Sequence, residues 1–441
     1  MKPFLTQLRD ELTAVPERLP LLTLIIAASV LLMPIALLGS GVVDVFVSIA
    51  AATFLLRSIV ERDFKWLREP WVAVAVVLWI YLVARGLLSV DPQRSGLKAL
   101  SWIRFIVFGS AIHFVLARSV TARRALLYSI LAMALFGAAD ALFQFVVGVD
   151  VFGREMHDGT RLTGPLRNPA IGMLLLFVGL PAIIYLVSSA RLSTGPALVW
   201  RLGGLMAIAG AIALSGERLA LLQAVVIGLM LLFVLRPPVK VVGILILGCI
   251  GLIAGLIVVT GKLDSISTRQ LSTLSEISKG EDSLYIRLME SGVEIIQDHP
   301  LFGVGLKNFR MECSESATPA EIGNACNFIH PHQVWLHIAA ETGLVGAAGF
   351  LTLFVLALRP AIRNWRYWAA EPLLFGATVS VLVRLLPFTP SGNFFSNWRE
   401  AFFWFLLGTA AAMGRIVEAD RAKASANEPD RRSETLRSAE A

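Results

Sequence analysis

The 20 residues VVGILILGCIGLIAGLIVVT, at positions 241–260, contain no charged side chain. A membrane hydrocarbon core about 30 Å thick is crossed by about 20 apolar residues in a helix, so this run predicts a transmembrane helix. Similar runs, separated by short basic segments, occupy most of the remaining chain. Over 441 residues, 56% are hydrophobic and 16% are charged. An average soluble protein has about 25% charged residues. The sequence therefore excludes an ordinary soluble enzyme and predicts an all-α polytopic membrane protein.

We predict twelve spans from these runs, since twelve stretches are apolar and close to membrane length. The predicted spans lie near residues 20–38, 42–56, 71–90, 101–116, 125–148, 170–187, 199–214, 219–235, 241–260, 334–358, 372–386 and 401–413. The chain then divides into an N-terminal segment 1–19, spans one to nine in 20–260, a long loop 261–332, spans ten to twelve in 333–413, and a disordered tail 414–441.

The distribution of basic residues predicts the orientation, because cytoplasmic loops retain Lys and Arg. One set of alternating segments, which includes both termini, carries 23 Lys and Arg, while the opposite short loops carry seven. Both termini are therefore expected in the cytoplasm, with the long loop on the outer side of the membrane. The net charge of +7 is explained by topology, and nucleic-acid binding is not expected. The seven outer basic residues are Arg94, Lys98, Arg154, Arg161, Arg167, Arg218 and Arg399.

Two features stand out in the long outer loop. The segment SLYIRLMESGVEIIQ, at 283–297, has apolar residues at helical spacing and predicts an amphipathic helix. Cys313 and Cys326 lie in a compartment that would be oxidising, so we expect them to form a disulfide, with two free thiols as the alternative. Cysteine pairs with metal-ligand spacing are absent, which argues against a zinc site.

Four polar features map to the outer face in this topology. They are RLTGPLRNPAIG at 161–172, SGERLALL at 215–222, Arg287 on the amphipathic helix, and HPHQVWLHIAAETG at 330–343. Arginines at an interface can bind phosphate bidentately and stay charged, which suits a diphosphate at the headgroup level. Each arginine could instead anchor lipid headgroups. Glu217 could form a structural ion pair with Arg218.

Three of the six histidines fall within the last of these features. Histidine can accept a proton near neutral pH, so it is suited to activate a hydroxyl nucleophile. His332 should lie near the start of a helix, because Pro331 favours an extended or turn conformation before it. His330 and His337 are weaker candidates. His337 is four residues from Glu341, and a buried pair is its simpler interpretation.

Several motifs are missing from the sequence. It contains no Walker loop, no H-E-x-x-H, no G-x-S-x-G and no acidic D-x-D cluster. Energy from ATP and a zinc-hydrolase mechanism are therefore not expected, nor is a cofactor. A reaction at this face would need a donor that is already activated, such as a lipid diphosphate.

Together, the four features resemble the O-antigen ligase and polymerase superfamily of bacterial membrane enzymes, over roughly residues 20–415. Within it the chain looks most like the O-antigen ligases. That resemblance implies a metal-independent, inverting glycosyltransferase that moves O-polysaccharide from undecaprenyl diphosphate to a sugar hydroxyl of lipid A–core. Lipid-linked glycan, lipid A–core and membrane lipids would be its partners. Gln333 stands where members commonly have Asn.

The resemblance also implies roles for individual residues. His332 would deprotonate the acceptor hydroxyl. Arg218 and Arg287 would bind the diphosphate and stabilise the leaving group, with Arg161 a weaker candidate for the same task. The supporting residues would be His330, Asn168, Glu217 and His337.

Three alternatives remain open. An O-antigen polymerase uses the same donor with a second lipid-linked glycan as acceptor, and the motifs barely separate it from a ligase. A protein O-oligosaccharyltransferase would usually have a larger C-terminal outer region. A membrane transporter would show paired repeats or broken helices near the midplane, whereas these polar clusters gather at one face.

Overall fold

The computed structural model describes residues 2–39, 41–190, 193–262, 284–316, 330–387 and 391–439. Its α-helices, in chain order, are α1 (Lys2–Leu12), α2 (Pro20–Ala36), α3 (Val42–Val60), α4 (Pro70–Leu87), α5 (Pro92–Arg118), α6 (Val120–Val147), α7 (Ile171–Phe177), α8 (Leu180–Ala190), α9 (Gly195–Leu214), α10 (Arg218–Leu235), α11 (Val239–Thr260), α12 (Leu284–Asp298), α13 (Phe309–Ser316), α14 (Val334–Arg363), α15 (Pro372–Arg384) and α16 (Asn397–Ala439). Two short 3-10 helices, Lys65–Arg68 and Trp365–Tyr367, lie in loops. Isolated bridges at Val149–Glu155 and His157–Arg161 are the only β pairing in the described segments.

The prediction of an all-α polytopic membrane protein is confirmed. Nine helices among the described residues are long and apolar enough to cross a membrane, and the bent pair α7 and α8 is a tenth if it forms one span. The remaining two predicted spans are the shorter apolar helices α2, with 17 residues, and α15, with 13. At 1.5 Å per residue, a 13-residue helix is only about 20 Å long. The count of twelve spans therefore stays a prediction.

The last helix, α16, lies at the centre of the bundle. It packs against α5, α14 and α15. Of its most apolar 18-residue stretch, 94% is buried. By contrast, only 6% of the corresponding stretch of α11 is buried, so that helix lies at the periphery. The most hydrophobic run in the sequence thus faces lipid, while the least apolar of the nine candidate spans forms the core.

The C-terminal segment differs from the expected disordered tail, because α16 continues to Ala439. Ile416 and Val417 are buried, and Arg415 forms an ion pair with Glu69 at 3.0 Å. Farther along, Arg421 donates a hydrogen bond to Asn364. The alanine-rich segment has good helix formers, and these contacts hold the helix beyond the apolar run.

Contacts between helix ends show that alternate connections lie on the same side of the bundle. The start of α10 meets the segment before α7 where Leu162 N–H donates to Ser215 O at 3.1 Å. The start of α5 meets the start of α16 in the buried ion pair of Lys98 with Glu400. The start of α14 meets the end of α15 where Gln333 donates to Pro387 O at 2.9 Å. We call this side the site face, since three of the four polar features lie on it.

A break in α14 admits part of the long loop. Gly343 has φ 67° and ψ 178°, so it interrupts the helix. Leu344 N–H donates to Pro300 O at 2.8 Å, and an added Cβ on Gly303 would lie 2.5 Å from the Gly343 nitrogen. Arg85, at the end of α4, donates to Phe302 O at 3.0 Å. The loop after α12 is thereby fastened to two helices.

The predicted amphipathic helix at 283–297 is confirmed as α12, and Ser291 and Leu288 lie on its buried side. The predicted disulfide falls outside the described residues, because these include neither the Cys313 side chain nor Cys326. It stays a prediction.

Candidate functional site

The site is built around a turn of histidines at the start of α14. His332 has φ 56°, in the left-handed region that few non-glycine residues adopt. Its carbonyl accepts a hydrogen bond from Ser391 N–H at 2.6 Å. Gln333 caps α14 by accepting from Leu336 N–H at 2.5 Å. The amide at position 333 therefore holds the turn in place, and the rings of His330 and His332 lie 4.2 Å apart between centroids.

His337 lies in a buried pair with Glu341, as the simpler interpretation of the sequence has it. Its Nδ1 accepts a hydrogen bond from Phe394 N–H at 3.2 Å. Its Nε2 lies 3.3 Å from Glu341 Oε1, and both side chains are 1% exposed. Glu341 Oε2 in turn accepts from Lys307 N–H at 2.8 Å. This chain of contacts ties the histidine turn to the loop after α12.

The two arginine-containing motifs, 161–172 and 215–222, pack directly against each other. Gly216 has φ 73°, and an added Cβ there would lie 3.0 Å from Cγ of Arg161. Gly172 is similarly close to Glu217, with Oε1 3.0 Å from the position of an added Cβ. Small residues at these two positions let both backbones approach, which places Arg161 beside Glu217.

Glu217 caps the first turn of α7. Its Oε1 accepts from Gly172 N–H at 2.6 Å and its Oε2 from Met173 N–H at 3.3 Å. Burial raises the pKa of the Glu217 carboxyl to about 7, against the lowering effect of these two amides and of Arg161. The carboxyl is thus a cap that titrates near neutral pH.

Arg399 links the two halves of the site. Its positive charge acts on His332 on one side and on Glu217 on the other. Beside it, Arg384 is 7% exposed and lies over the ring of Phe402, 4.6 Å from the centroid. Sequence reasoning did not select Arg399 or Arg384 for the site. Arg399 was one of the seven basic residues in outer short loops, and that position was the available signal.

The histidine turn is kept neutral. Burial, followed by the positive charge of Arg399, lowers the pKa of His332 to about 4, although a hydrogen bond with the Ser391 backbone opposes the shift. Burial, and repulsion from His332 when that ring is protonated, lower the pKa of His330 to about 2. Both rings are therefore unprotonated at pH 7 and can accept a proton or a hydrogen bond.

The other predicted residues lie at different distances from this centre. Arg218 is the first residue of α10, directly after Glu217, and is partly buried. Arg287 is partly buried on α12, and that helix reaches the histidine turn at Gly292, where an added Cβ would lie 3.1 Å from Pro331. Asn168 is exposed in the loop before α7. In the part of the chain that the structure describes, no group of three or more His, Cys, Asp or Glu could hold a metal ion.

This arrangement combines an anion-binding surface with a neutral base. The charges of Arg161 and Arg399 act on the Glu217 carboxyl, and Arg384 lies near Arg399. Arg161 also forms an ion pair with Asp158 at 3.2 Å, so three arginines lie near two carboxyls and positive charge exceeds negative charge. The charge of Arg399 acts on the neutral imidazoles of His330 and His332. Such a site can bind a phosphate group while a ring nitrogen takes a proton from a neighbouring hydroxyl.

Comparison with known proteins adds one finding. No curated protein sequence matches the chain. Residues 203–351, about a third of the chain, match the family model described as O-antigen ligase. The matched stretch contains Arg218, Arg287 and the histidines of α14, which are three of the four polar features. It stops before Arg384 and Arg399. On this match, residues 203–351 are similar to the O-antigen ligase family, which supports membership of the chain in the O-antigen ligase and polymerase superfamily.

Proposed function

We propose that the protein is an O-antigen ligase of the bacterial inner membrane. It transfers O-polysaccharide from undecaprenyl diphosphate to a sugar hydroxyl of lipid A–core, on the periplasmic side. Both termini are cytoplasmic in this proposal, which follows from the distribution of basic residues. The observation that carries it is the position of a cation near the base. Arg399 packs against Gly392, next to Ser391, whose N–H donates to the His332 carbonyl, and its charge acts on the neutral ring of His332.

The reaction needs the base and the diphosphate-binding arginines close together. The acceptor O–H bond breaks and its proton passes to His332, while the acceptor oxygen forms a bond to the anomeric carbon. The bond from that carbon to the diphosphate oxygen breaks, and its electron pair leaves on the diphosphate. Arg161, Arg218 and Arg287, with Arg399, offset the charge that develops there. The products are the glycosylated acceptor and undecaprenyl diphosphate.

The low pKa of His332 fits this order of events. A pKa of about 4 keeps the ring unprotonated but makes it a weak base before the donor binds. The diphosphate brings negative charge next to the ring, and negative charge favours imidazolium. Donor binding should therefore raise the basicity of His332 at the moment when the acceptor must be deprotonated.

An apolar cavity supports a lipid-linked donor. It has a volume of about 490 Å³ and is lined by apolar side chains of α7, α8, α9, α10 and α11. Leu221, one turn after Arg218, lines it, and so does Leu176, the neighbour of Phe177. The ring of Phe177 lies 5.6 Å from the Arg384 guanidinium. A polyprenyl chain in this cavity would have its diphosphate end at the arginines.

Reconstitution of the purified protein with a defined undecaprenyl-diphosphate-linked glycan tests the proposal. Lipid A–core, a second lipid-linked glycan and a periplasmic protein are offered as separate acceptors. Labelled lipid A–core is the expected product. Product with only the second lipid-linked glycan would make the protein a polymerase, and product with only the protein acceptor would make it a protein O-oligosaccharyltransferase. Absence of all three products, with donor flux across vesicles, would favour a transporter.

A further inference from the structure

The segment SGNF at 391–394, between α15 and α16, lies against the histidine turn. Ser391 N–H donates to the His332 carbonyl, and Phe394 N–H donates to Nδ1 of His337. Phe394 and Phe395 are 3% and 0% exposed. The segment is therefore fixed at both ends, by backbone hydrogen bonds and by buried aromatic rings.

Within the described part of the chain, the side chains of Ser391 and Asn393 have no hydrogen-bond partner. Asn393 is 3% exposed, and among the described residues neither its Nδ2 nor its Oδ1 has a hydrogen-bond partner. Ser391 is 7% exposed, and its Oγ is unpaired within the same set of residues. Burying an amide or hydroxyl without a partner is unfavourable, and most buried polar atoms in folded proteins are paired. These atoms are therefore placed to bind something other than this chain.

A neighbouring ring shows the same feature. His330 is 7% exposed, and both of its ring nitrogens lack a partner in the described part of the chain. Its centroid is 4.2 Å from that of His332. The unpaired groups therefore continue from the SGNF segment to the residue beside the proposed base.

The chemistry of these groups indicates what they bind. An amide offers two donors and an acceptor, and a hydroxyl offers one of each, so the pair can bind adjacent hydroxyls of one ring. Neither group is charged, in contrast to the arginines nearby. A sugar ring presents such hydroxyls, whereas a diphosphate would match the arginines instead.

We propose that Asn393 and Ser391 form a subsite for the hydroxyls of a sugar, next to His332. The inference rests on the proposed function, since it names the part of that site which holds the reacting carbohydrate. The sugar is either the acceptor residue or the first residue of the donor glycan. Because the segment lies outside residues 203–351, the family match does not include this subsite.

Asn393→Leu tests the subsite, because leucine has a similar size but no amide. We expect the KM for one substrate to rise by about 10-fold, because roughly two hydrogen bonds to that substrate are lost. The KM for the other substrate should be unchanged. A rise for lipid A–core assigns the acceptor sugar, and a rise for the lipid-linked glycan assigns the donor sugar. Ser391→Ala should raise the same KM by a smaller factor. Unchanged KM values for both substrates in an active Asn393→Leu protein would overturn the proposal.

Asn364→Leu is a matched control from the opposite face. Asn364 is 1% exposed, its amide donates to Pro360 O at 2.8 Å, and its Oδ1 accepts from Arg421 at 2.9 Å. Its replacement should lower the unfolding temperature and leave both KM values unchanged. Asn393→Leu should not lower the unfolding temperature, because it removes an amide that has no hydrogen-bond partner among the described residues. A drop as large as that of the control would show that Asn393 is structural and overturn the proposal.

A binding measurement separates this inference from the enzymatic function. Lipid-free core oligosaccharide and the free O-antigen repeat unit are added separately to the detergent-solubilised full chain. One of them should raise the unfolding temperature of the wild-type protein and not that of Asn393→Leu. Equal shifts in both proteins, or no shift with either sugar, would overturn the subsite. If the wild-type protein bound sugar in this way but made no product, only the proposed function would fail.

Discussion

The carboxylate of Glu217 closes the first turn of α7, with its Oε1 2.6 Å from the amide nitrogen of Gly172. Because α7 begins in the segment that contains Arg161, this contact joins two of the polar motifs. The cap also explains why an acidic residue stands beside Arg218 at the start of α10. Loss of the cap should therefore disturb the arginines without removing any of them.

Replacement of Glu217 separates a capping role from a catalytic one. Glu217→Gln keeps an oxygen that accepts from Gly172, so we expect most of the glycosyl transfer and stability to be retained. Glu217→Ala removes the cap and should destabilise the protein by about 1 kcal/mol, measured by thermal unfolding in detergent. Loss of transfer in a stable Glu217→Gln protein would instead indicate proton transfer by this carboxyl.

His332→Ala removes the proposed base. A general base typically contributes 10²- to 10⁴-fold, so transfer to lipid A–core should fall by about that factor. The protein should remain folded and inserted in the membrane, since the ring lies at the surface of the site. Full activity of this variant would exclude His332 from the reaction.

His337→Ala is the matched comparison within the same helix. Here the main loss should be in stability, by about 1–3 kcal/mol, because Glu341 and the Phe394 amide lose a buried partner. Thermal unfolding and activity at low temperature, measured together, distinguish the two histidines. A stable but inactive His337→Ala protein would contradict the structural role.

The pH dependence of the reaction reports on Arg399. The pKa of His332 is held at about 4, below the ordinary 6.5 of histidine, and the charge of Arg399 contributes to that shift. Arg399→Gln removes a positive neighbour, so imidazolium becomes more favourable and the pKa of His332 rises. The base is then protonated at a higher pH, and the acid limb of kcat/KM should move upward. An acid limb at the same pH in both proteins would show that the two side chains are uncoupled.

Lysine replacements test diphosphate recognition by Arg218 and Arg287. An ammonium keeps the charge but cannot form the two parallel hydrogen bonds of a guanidinium, so Lys at either position should lose most of the activity. Arg167→Lys is the control, since Arg167 is exposed in the loop before α7. Donor KM and kcat are measured for each variant. Wild-type values for both Arg218→Lys and Arg287→Lys would contradict this recognition.

The contact between Gly303 and Gly343 should be intolerant of a side chain. Both have positive φ. An added Cβ on Gly303 would lie 2.5 Å from the Gly343 nitrogen, and one on Gly343 would lie 2.2 Å from the Leu301 carbonyl oxygen. Gly303→Ala should lower the free energy of unfolding by about 1–3 kcal/mol. Gly228→Ala, in the middle of α10 with open space around it, should be neutral or stabilising. Similar unfolding temperatures for the two variants would argue against the close backbone contact.

The sequence alone determined the class of fold, and it predicts the side of the membrane on which the polar motifs lie. An apolar run of about 20 residues has few options other than a membrane helix, and alternating basic loops order those helices. The same local reasoning located the amphipathic helix α12 and the histidine turn before α14. It also identified a buried pair as the simpler interpretation of His337, since residues four apart meet on one face of a helix.

Only the tertiary structure decided which polar residues meet. Arg399 stands 182 positions after Glu217 in the chain, and nothing local indicates that its charge acts on that carboxyl and on His332. Asn393 and Ser391 carry no motif, and their unpaired atoms become visible only when α15 and α16 are packed. The most apolar helix, α11, was found at the lipid-facing edge, and α16 in the core. Lipid tails are as apolar as the side chains of other helices, so an apolar side chain gains little by packing against protein rather than lipid. Hydrophobicity therefore predicts that a helix spans the membrane but not where it packs in the bundle.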